Sequence, residues 1–145
     1  MARGIFRVVE CWSYDGDMPK IDVVLVSVDG RRVPEKGVLR LNIDTGFSGS
    51  ILLTRRHYEM FMLGELPESA FRVYRTLTGE IVMRRARATL TLPKVGVELE
   101  TFVETPRLGE GKLLAGREVI NKIPMLLNGP EKTCCYVSKA ELLEK

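Results

Sequence analysis

Residues 39–50 read Leu-Arg-Leu-Asn-Ile-Asp-Thr-Gly-Phe-Ser-Gly-Ser, and this stretch decides how the rest of the chain is interpreted. Its first five residues alternate apolar and polar side chains, which is the pattern of a half-buried β-strand. The alternation stops at Asp44, where an acid, a hydroxyl and a glycine follow one another. A carboxylate at the end of a buried strand is costly unless something holds it, and Gly46 lets backbone or substrate come close to it. The stretch therefore predicts a functional turn that begins at Asp44.

The composition is that of an ordinary globular protein, and a length of 145 residues predicts a single domain, 1–145. A net charge of +3 without an aromatic-basic platform argues against nucleic acid as a partner. No apolar run approaches the roughly 20 residues that cross a bilayer, and no apolar signal core is present, so we expect a cytoplasmic protein without a membrane partner. Abundant Arg, Lys and Glu with no Gln are typical of a thermophile.

Metal and disulfide chemistry are not indicated by the cysteines. Cys11, Cys134 and Cys135 match no zinc spacing, and their odd number favours reduced packing residues over a disulfide framework. Asp15 and Asp17 flank a glycine, but the downstream ligands of a calcium loop are missing, so we interpret them as solvated turn residues. The sequence therefore predicts no metal and no cofactor.

Period-2 alternation and turn residues predict a mainly antiparallel β fold. If Lys94-Val95 is a hairpin loop, Leu92 meets Val97, Leu90 meets Leu99 and Arg85 meets Glu104. This register places apolar residues on apolar ones and polar residues mostly on polar ones. The arginines at 84, 85 and 87 are then interpreted as a solvated sheet face beside acidic residues. The predicted strands are 5–13, 21–28, 38–43, 51–53, 71–77, 80–85, 86–92, 97–104, 125–127 and 133–137.

Helices are predicted at Arg55–Leu66, with Tyr58, Phe61 and Met62 on one side, and at Arg117–Ile123. Residues 138–141 have the spacing of a capping box, so Ser138 is expected to begin a C-terminal helix. His57, the single histidine, could serve Ser48 or Ser50 as a general base. No nucleophile-elbow pattern accompanies it, and we interpret it as an ordinary helical residue.

Asp44-Thr45-Gly46 after an apolar strand resembles the catalytic loop of aspartic proteases, and the longer Asp-Thr-Gly-Phe-Ser-Gly resembles the small retropepsin-like proteases of prokaryotes. A second element strengthens the resemblance. In that family a hydrophobic-hydrophobic-Gly segment packs behind the catalytic loop and precedes a short helix, and Leu114-Ala115-Gly116 follows Asp44 in the expected order. The resemblance, which spans roughly 21–137, implies a closed β-barrel of the acid-protease type with one or two short helices.

The same resemblance implies an aspartic endopeptidase. Hydrolysis by water needs a base and an acid, and two adjacent carboxylates supply both by sharing one proton. This chain has one such motif, so the family's solution, a twofold homodimer with one Asp44 from each copy, is expected. In it Thr45 would link the two loops, Gly46 would leave room for a peptide substrate, and the turn at Thr78 and Gly79 would be the flap. Phe47 departs from the small residue found in retroviral members.

Two other hypotheses remain open at this point. The domain could be a dimeric binding or assembly module with the protease fold and little or no activity. It could also be an unrelated all-β domain in which residues 44–46 form only a turn. Oligomeric state and the activity of Asp44→Asn would separate the protease from the first alternative, and a structure without the acid on a twofold axis would support the second.

Overall fold

The computed structural model describes residues 4–141, and β-strands dominate it. Its short helical segments are α1 (Arg55–Tyr58), α2 (Arg117–Ile120) and two 3-10 turns at Glu59–Gly64 and Glu68–Ala70. The strands are β1 (Gly4–Ser13), β2 (Lys20–Ser27), β3 (Arg32–Val33), β4 (Leu39–Ile43), β5 (Ile51–Leu52), β6 (Arg72–Thr76), β7 (Gly79–Leu92), β8 (Val97–Pro106), β9 (Leu114–Ala115), β10 (Met125–Asn128) and β11 (Thr133–Glu141).

Six of the strands form a ring. They follow one another in the order β2, β4, β9, β5, β8 and β7, and β2 pairs with β7 to close the circle. Leu25 of β2 is paired both with Val33 of β3 and with Leu90 of β7, so it lies between two strands. The predicted β-barrel with short helices is thus confirmed.

The β7–β8 hairpin has the predicted register. Leu92 pairs with Val97, Leu90 with Leu99 and Arg85 with Glu104. One face of β7 is buried, as the alternation indicated, and residues of β2, β4, β5 and β8 complete the core. These core residues include Ile21, Val23, Leu25, Leu41, Ile51, Ala86, Leu90 and Val103.

The predicted helix at 55–66 is shorter and tighter than its apolar pattern suggested. Thr54 caps α1 by accepting a hydrogen bond from the amide of His57, and the chain then continues as a 3-10 turn. Three residues per turn bring Tyr58 and Phe61 to the same side, where both are fully buried. Met62, placed on that side by the α-helical period, is exposed instead. Of the helices in the described region, none has the length and apolar character needed to span a membrane.

A second, three-stranded sheet has the order β1–β11–β10. It corrects the interpretation of Ser138 as the start of a helix, because Ser138 lies in β11 opposite Arg7 of β1. A capping box is a local signal, whereas the backbone of 138–141 finds hydrogen-bond partners along β1, more than a hundred residues away in sequence. The remainder of the predicted helix, 142–145, lies outside the described residues.

The same pairing corrects the interpretation of all three cysteines as reduced packing residues. Cys11 and Cys135 lie directly opposite each other, with Cα atoms 4.0 Å apart, and form a disulfide. Cys134, whose side chain faces the other way on β11, is buried in the core as a free thiol. Only the packing interpretation of Cys134 is confirmed.

Thiol counting tests this arrangement. Burial raises the pKa of the Cys134 thiol to about 11, so at mildly alkaline pH it stays protonated as well as inaccessible. With a colorimetric thiol reagent we expect no reaction in the native protein and one thiol per chain after denaturation without reductant. All three cysteines should react only after reduction and denaturation. Three reactive thiols in unreduced, denatured protein would contradict the disulfide.

Candidate active site

Asp44 lies one residue beyond β4, at the point where β4 runs beside β9. The two strands are parallel, with Asn42 opposite Leu114 and Ile43 opposite Ala115. The amide of Asp44 continues this ladder by donating to the carbonyl oxygen of Ala115 at 3.0 Å. The backbone of Asp44 is therefore held by the sheet, while its side chain is half-buried.

The three predicted site residues form one tight turn. The amide of Gly46 donates to Oδ1 of Asp44 at 2.9 Å, and the amide of Phe47 donates to the carbonyl oxygen of Asp44 at 3.2 Å. Thr45 and Gly46 are exposed. A side chain at position 46 would bring its Cβ to 3.2 Å from Oδ1, so glycine keeps the approach to the carboxylate open. The turn thus orients one carboxylate oxygen and leaves the other side of Asp44 accessible.

The segment after β9 braces this turn from behind. The amide of Gly116 donates to the carbonyl oxygen of Ser50 at 2.7 Å, and the amides of Arg117 and Glu118 donate to those of Phe47 and Gly49. These bonds join the start of α2 to Phe47, Gly49 and Ser50. The element recognised in the sequence at 114–116 therefore does pack against the loop that begins at Asp44.

Phe47 occupies a space made by two glycines. A Cβ on Gly49 would lie 2.5 Å from the ring of Phe47, and a Cβ on Gly116 would lie 2.6 Å from it. The ring of Phe47 also contacts Tyr74, whose ring centroid is 5.5 Å away in a tilted arrangement. The large residue at 47 is thus accommodated by the absence of side chains at 49 and 116.

The predicted flap is a hairpin formed by β6 and β7. Thr76 pairs with Gly79, which leaves Leu77 and Thr78 as the turn, and Leu77 is fully exposed. Gly79 has a φ of 134°, a backbone conformation that favours glycine. Thr78 and Gly79 therefore lie at the tip, and the hairpin approaches the Asp44 loop through Tyr74 nearer its base.

A buried carboxylate beside the loop was missed as a functional candidate. Glu104 of β8 is fully buried and accepts hydrogen bonds from the amide of Ser50 at 2.8 Å and from the hydroxyl of Tyr74 at 2.7 Å. The predicted pairing of Arg85 with Glu104 was the available signal. The interpretation of Arg85 as part of a solvated face is wrong. β6 and α2 cover it and leave its side chain only 12% exposed.

His57 and the acidic turn take the ordinary roles expected of them. Nδ1 of His57 lies 2.6 Å from the hydroxyl of Thr54, whereas Ser50 donates its hydroxyl hydrogen to Glu118. The side chains of Asp15 and Asp17 are 76% and 98% exposed. In the described part of the chain, no group of three or more His, Cys, Asp or Glu residues could hold a metal ion.

Comparison with known proteins finds similarity in structure but not in sequence. No protein-family model matches the chain, and no curated protein matches it significantly in sequence. A retropepsin-like aspartic protease from Rickettsia conorii superposes with a TM-score of 0.50 at 16% identity, over 92% of this chain and 98% of that one. The EIAV protease complexed with the inhibitor HBY-793 gives a TM-score of 0.49 at 16% identity, over 72% of this chain and 86% of that one. The chain has the retropepsin-like fold.

The glycine-lined space for Phe47 yields a matched pair of substitutions. In Gly116→Ala the new Cβ would lie 2.3 Å from the carbonyl oxygen of Gly49, and backbone must move to admit it. We expect a loss of about 1–3 kcal/mol in the free energy of unfolding. Gly129→Ala is the control, since nothing lies within 4 Å of its Cβ position. Urea unfolding measures the free energy of unfolding of both variants, and equal values would contradict the tight packing.

Proposed function

We propose that this protein is an aspartic endopeptidase whose active site forms where two copies of the chain bring their Asp44 residues together. The observation that carries the proposal is the Asp44-Thr45-Gly46 turn, held by β9 and Gly116 within a retropepsin-like fold. A chance Asp-Thr-Gly triplet would have no reason to lie at this strand end with this support behind it.

The proposed chemistry uses one water and two carboxylates. The ionised Asp44 of one copy takes a proton from the water as it attacks the peptide carbonyl carbon, and the protonated Asp44 of the other copy gives its proton to the carbonyl oxygen. The first Asp44 then gives the proton it took from water to the leaving nitrogen while the second takes a proton back from a hydroxyl of the tetrahedral diol, and the carbon–nitrogen bond breaks. Because this cycle requires one shared proton, activity is expected on the acidic side of neutrality.

A homodimer follows from the single motif. Asp44 does not line the cavity of about 600 Å³ that lies beside Ser50 and Glu118 in the isolated chain. The proposed cleft forms between two copies, so one chain contributes only half of its walls. The exposed side chain of Thr45 is available to the second copy, and the hairpin tip at Thr78 and Gly79 would cover a bound peptide and exclude water.

The expected cytoplasmic location is compatible with the disulfide if the source is a thermophile. Disulfides are rare in the cytosol of mesophiles but common in intracellular proteins of hyperthermophiles. The composition rich in Arg, Lys and Glu and the Cys11–Cys135 bond therefore agree with each other.

Replacing the proposed catalytic acid is the first test. Asp44→Asn should lower cleavage of a denatured protein by about 10³-fold or more, because an amide is neither acid nor base here. Asp17→Asn, at an exposed turn, should leave activity unchanged. Cleavage is measured across acidic pH with and without a statine-type inhibitor, and full activity in Asp44→Asn ends the protease proposal. An inactive wild type that still dimerises favours the binding-module alternative.

Thr45→Ala tests the shared site. Removing hydroxyls that bond across the twofold axis, each worth about 1 kcal/mol net, should weaken the dimer. Sedimentation velocity should show dissociation at higher protein concentrations than for the wild type. Specific activity of the variant should recover as protein concentration rises. A monomer with concentration-independent specific activity would contradict a site formed by two copies.

A further inference from the structure

Glu104 is placed where an isolated carboxylate would be strongly disfavoured. Its side chain is fully buried, and both oxygens are engaged: Oε2 accepts from the amide of Ser50, and Oε1 accepts from the hydroxyl of Tyr74. Arg85 provides the counter-charge, with Nε 3.4 Å from Oε1. Burying a charge costs several kcal/mol unless it is paired and hydrogen-bonded, so these contacts must form together.

Tyr74 and Ser50 belong to the two parts that have to cooperate in the proposed reaction. Tyr74 is on β6, the first strand of the flap hairpin, and Ser50 ends the loop that begins at Asp44. One carboxylate therefore connects the flap to the catalytic loop. Burial and the neighbouring Glu104 carboxylate raise the pKa of the Tyr74 phenol, which keeps it protonated as a donor.

A second set of contacts also connects β6 with Ser50. Arg72 lies two residues before Tyr74, on the same face of β6, and forms an ion pair with Glu118 of α2. Glu118 also accepts from the hydroxyl of Ser50 and from Nη2 of Arg85 at 2.9 Å. The guanidinium of Arg85 in turn lies 4.3 Å from the ring centroid of Phe102. Both connections converge on Ser50.

We propose that Glu104 and Tyr74 are positioning residues that couple the flap hairpin to the loop carrying Asp44. This inference rests on the proposed function. Neither side chain is the proposed acid or base; they act through Ser50 and through Phe47, which Tyr74 also contacts. As a result, the flap becomes ordered over a peptide at the same time as the loop that carries Asp44 is placed.

The chain contains a matched control for Tyr74. Tyr58 is fully buried, donates its hydroxyl to Glu65 at 2.7 Å, and lies under the guanidinium of Arg84, which pairs with the same carboxylate. Tyr58→Phe and Tyr74→Phe thus each remove one hydrogen bond to a carboxylate that also pairs with an arginine, although Glu65 is 20% exposed and Glu104 is fully buried. Only Tyr74 belongs to the proposed flap.

Steady-state kinetics with a peptide substrate provide the first measurement. Tyr74→Phe removes one charge-assisted hydrogen bond and releases the flap, so KM should rise about tenfold, and loosening of the coupled loop should lower kcat by a smaller factor. Glu104→Gln also disturbs the contact with Ser50 directly and should lower kcat further. Tyr58→Phe should change neither constant, although it should also lower thermal stability, because it removes a hydrogen bond of a fully buried tyrosine.

Hydrogen exchange measured on the full chain is independent of activity. Tyr74→Phe should speed exchange in peptides covering both 72–82 and 47–53, whereas Tyr58→Phe should affect neither. Equal responses of the two tyrosine variants, or faster exchange in the flap alone, would overturn the coupling. If the wild type is inactive, the proposed function fails, and the exchange data still decide whether flap and loop are coupled. If Glu104→Gln does not fold, Tyr74→Phe still decides the inference.

Discussion

Closure of the strand ring by β2 and β7 is the constraint on which the rest of the structure depends. Residues 24–27 of β2 pair with 88–91 of β7, while residues 20–23 of the same strand pair with β4. A single strand therefore connects the β6–β7 hairpin, whose tip is the proposed flap, to the strand that leads into Asp44. The apolar residues facing inward from these strands are removed from water only when the ring is closed.

The loop after Asp44 is held mainly by backbone. Its carbonyl groups accept from the amides of 116–118, and two glycines allow Phe47 to lie against them. Backbone contacts at both ends of a short loop leave little freedom for the Asp44 carboxylate, which suits its proposed role of holding a water in one geometry. The large side chain at 47, unusual beside the retroviral pattern, is part of that support.

Features encoded by neighbouring residues were predictable, and features that depend on distant pairing were not. The β7–β8 register followed from alternation on either side of a short loop, and the Asp44 turn and the 114–116 element followed from short motifs. The Cys11–Cys135 bond depends on two strands 124 residues apart in sequence, which no local pattern relates. The same pairing draws Ser138 into a strand against its capping-box signal.

The contacts of Glu104 were likewise predictable only where they involve a neighbouring strand of the same hairpin. Its partner Arg85 lies directly across the hairpin and could be paired from the sequence, whereas Tyr74 and Ser50 come from other parts of the chain. Alternation assigned Glu104 and Arg85 to an outer face, because it distinguishes two sides of a strand but not what covers each side. Folding of β6 and α2 over that side turns a surface pair into a buried one.

The bond between Cys11 and Cys135 makes the chain nearly cyclic. All of the barrel lies inside the covalent loop, so the unfolded chain is a closed loop with two terminal tails rather than a linear chain. Closing a loop of this length is worth about 5 kcal/mol in the chain-entropy account. For a protein proposed to cut peptide bonds, the topology has a further effect: a single cleavage anywhere between the two cysteines opens the ring without releasing a fragment. Both pieces stay tethered through β1 and β11, next to the strands with which they must pair again.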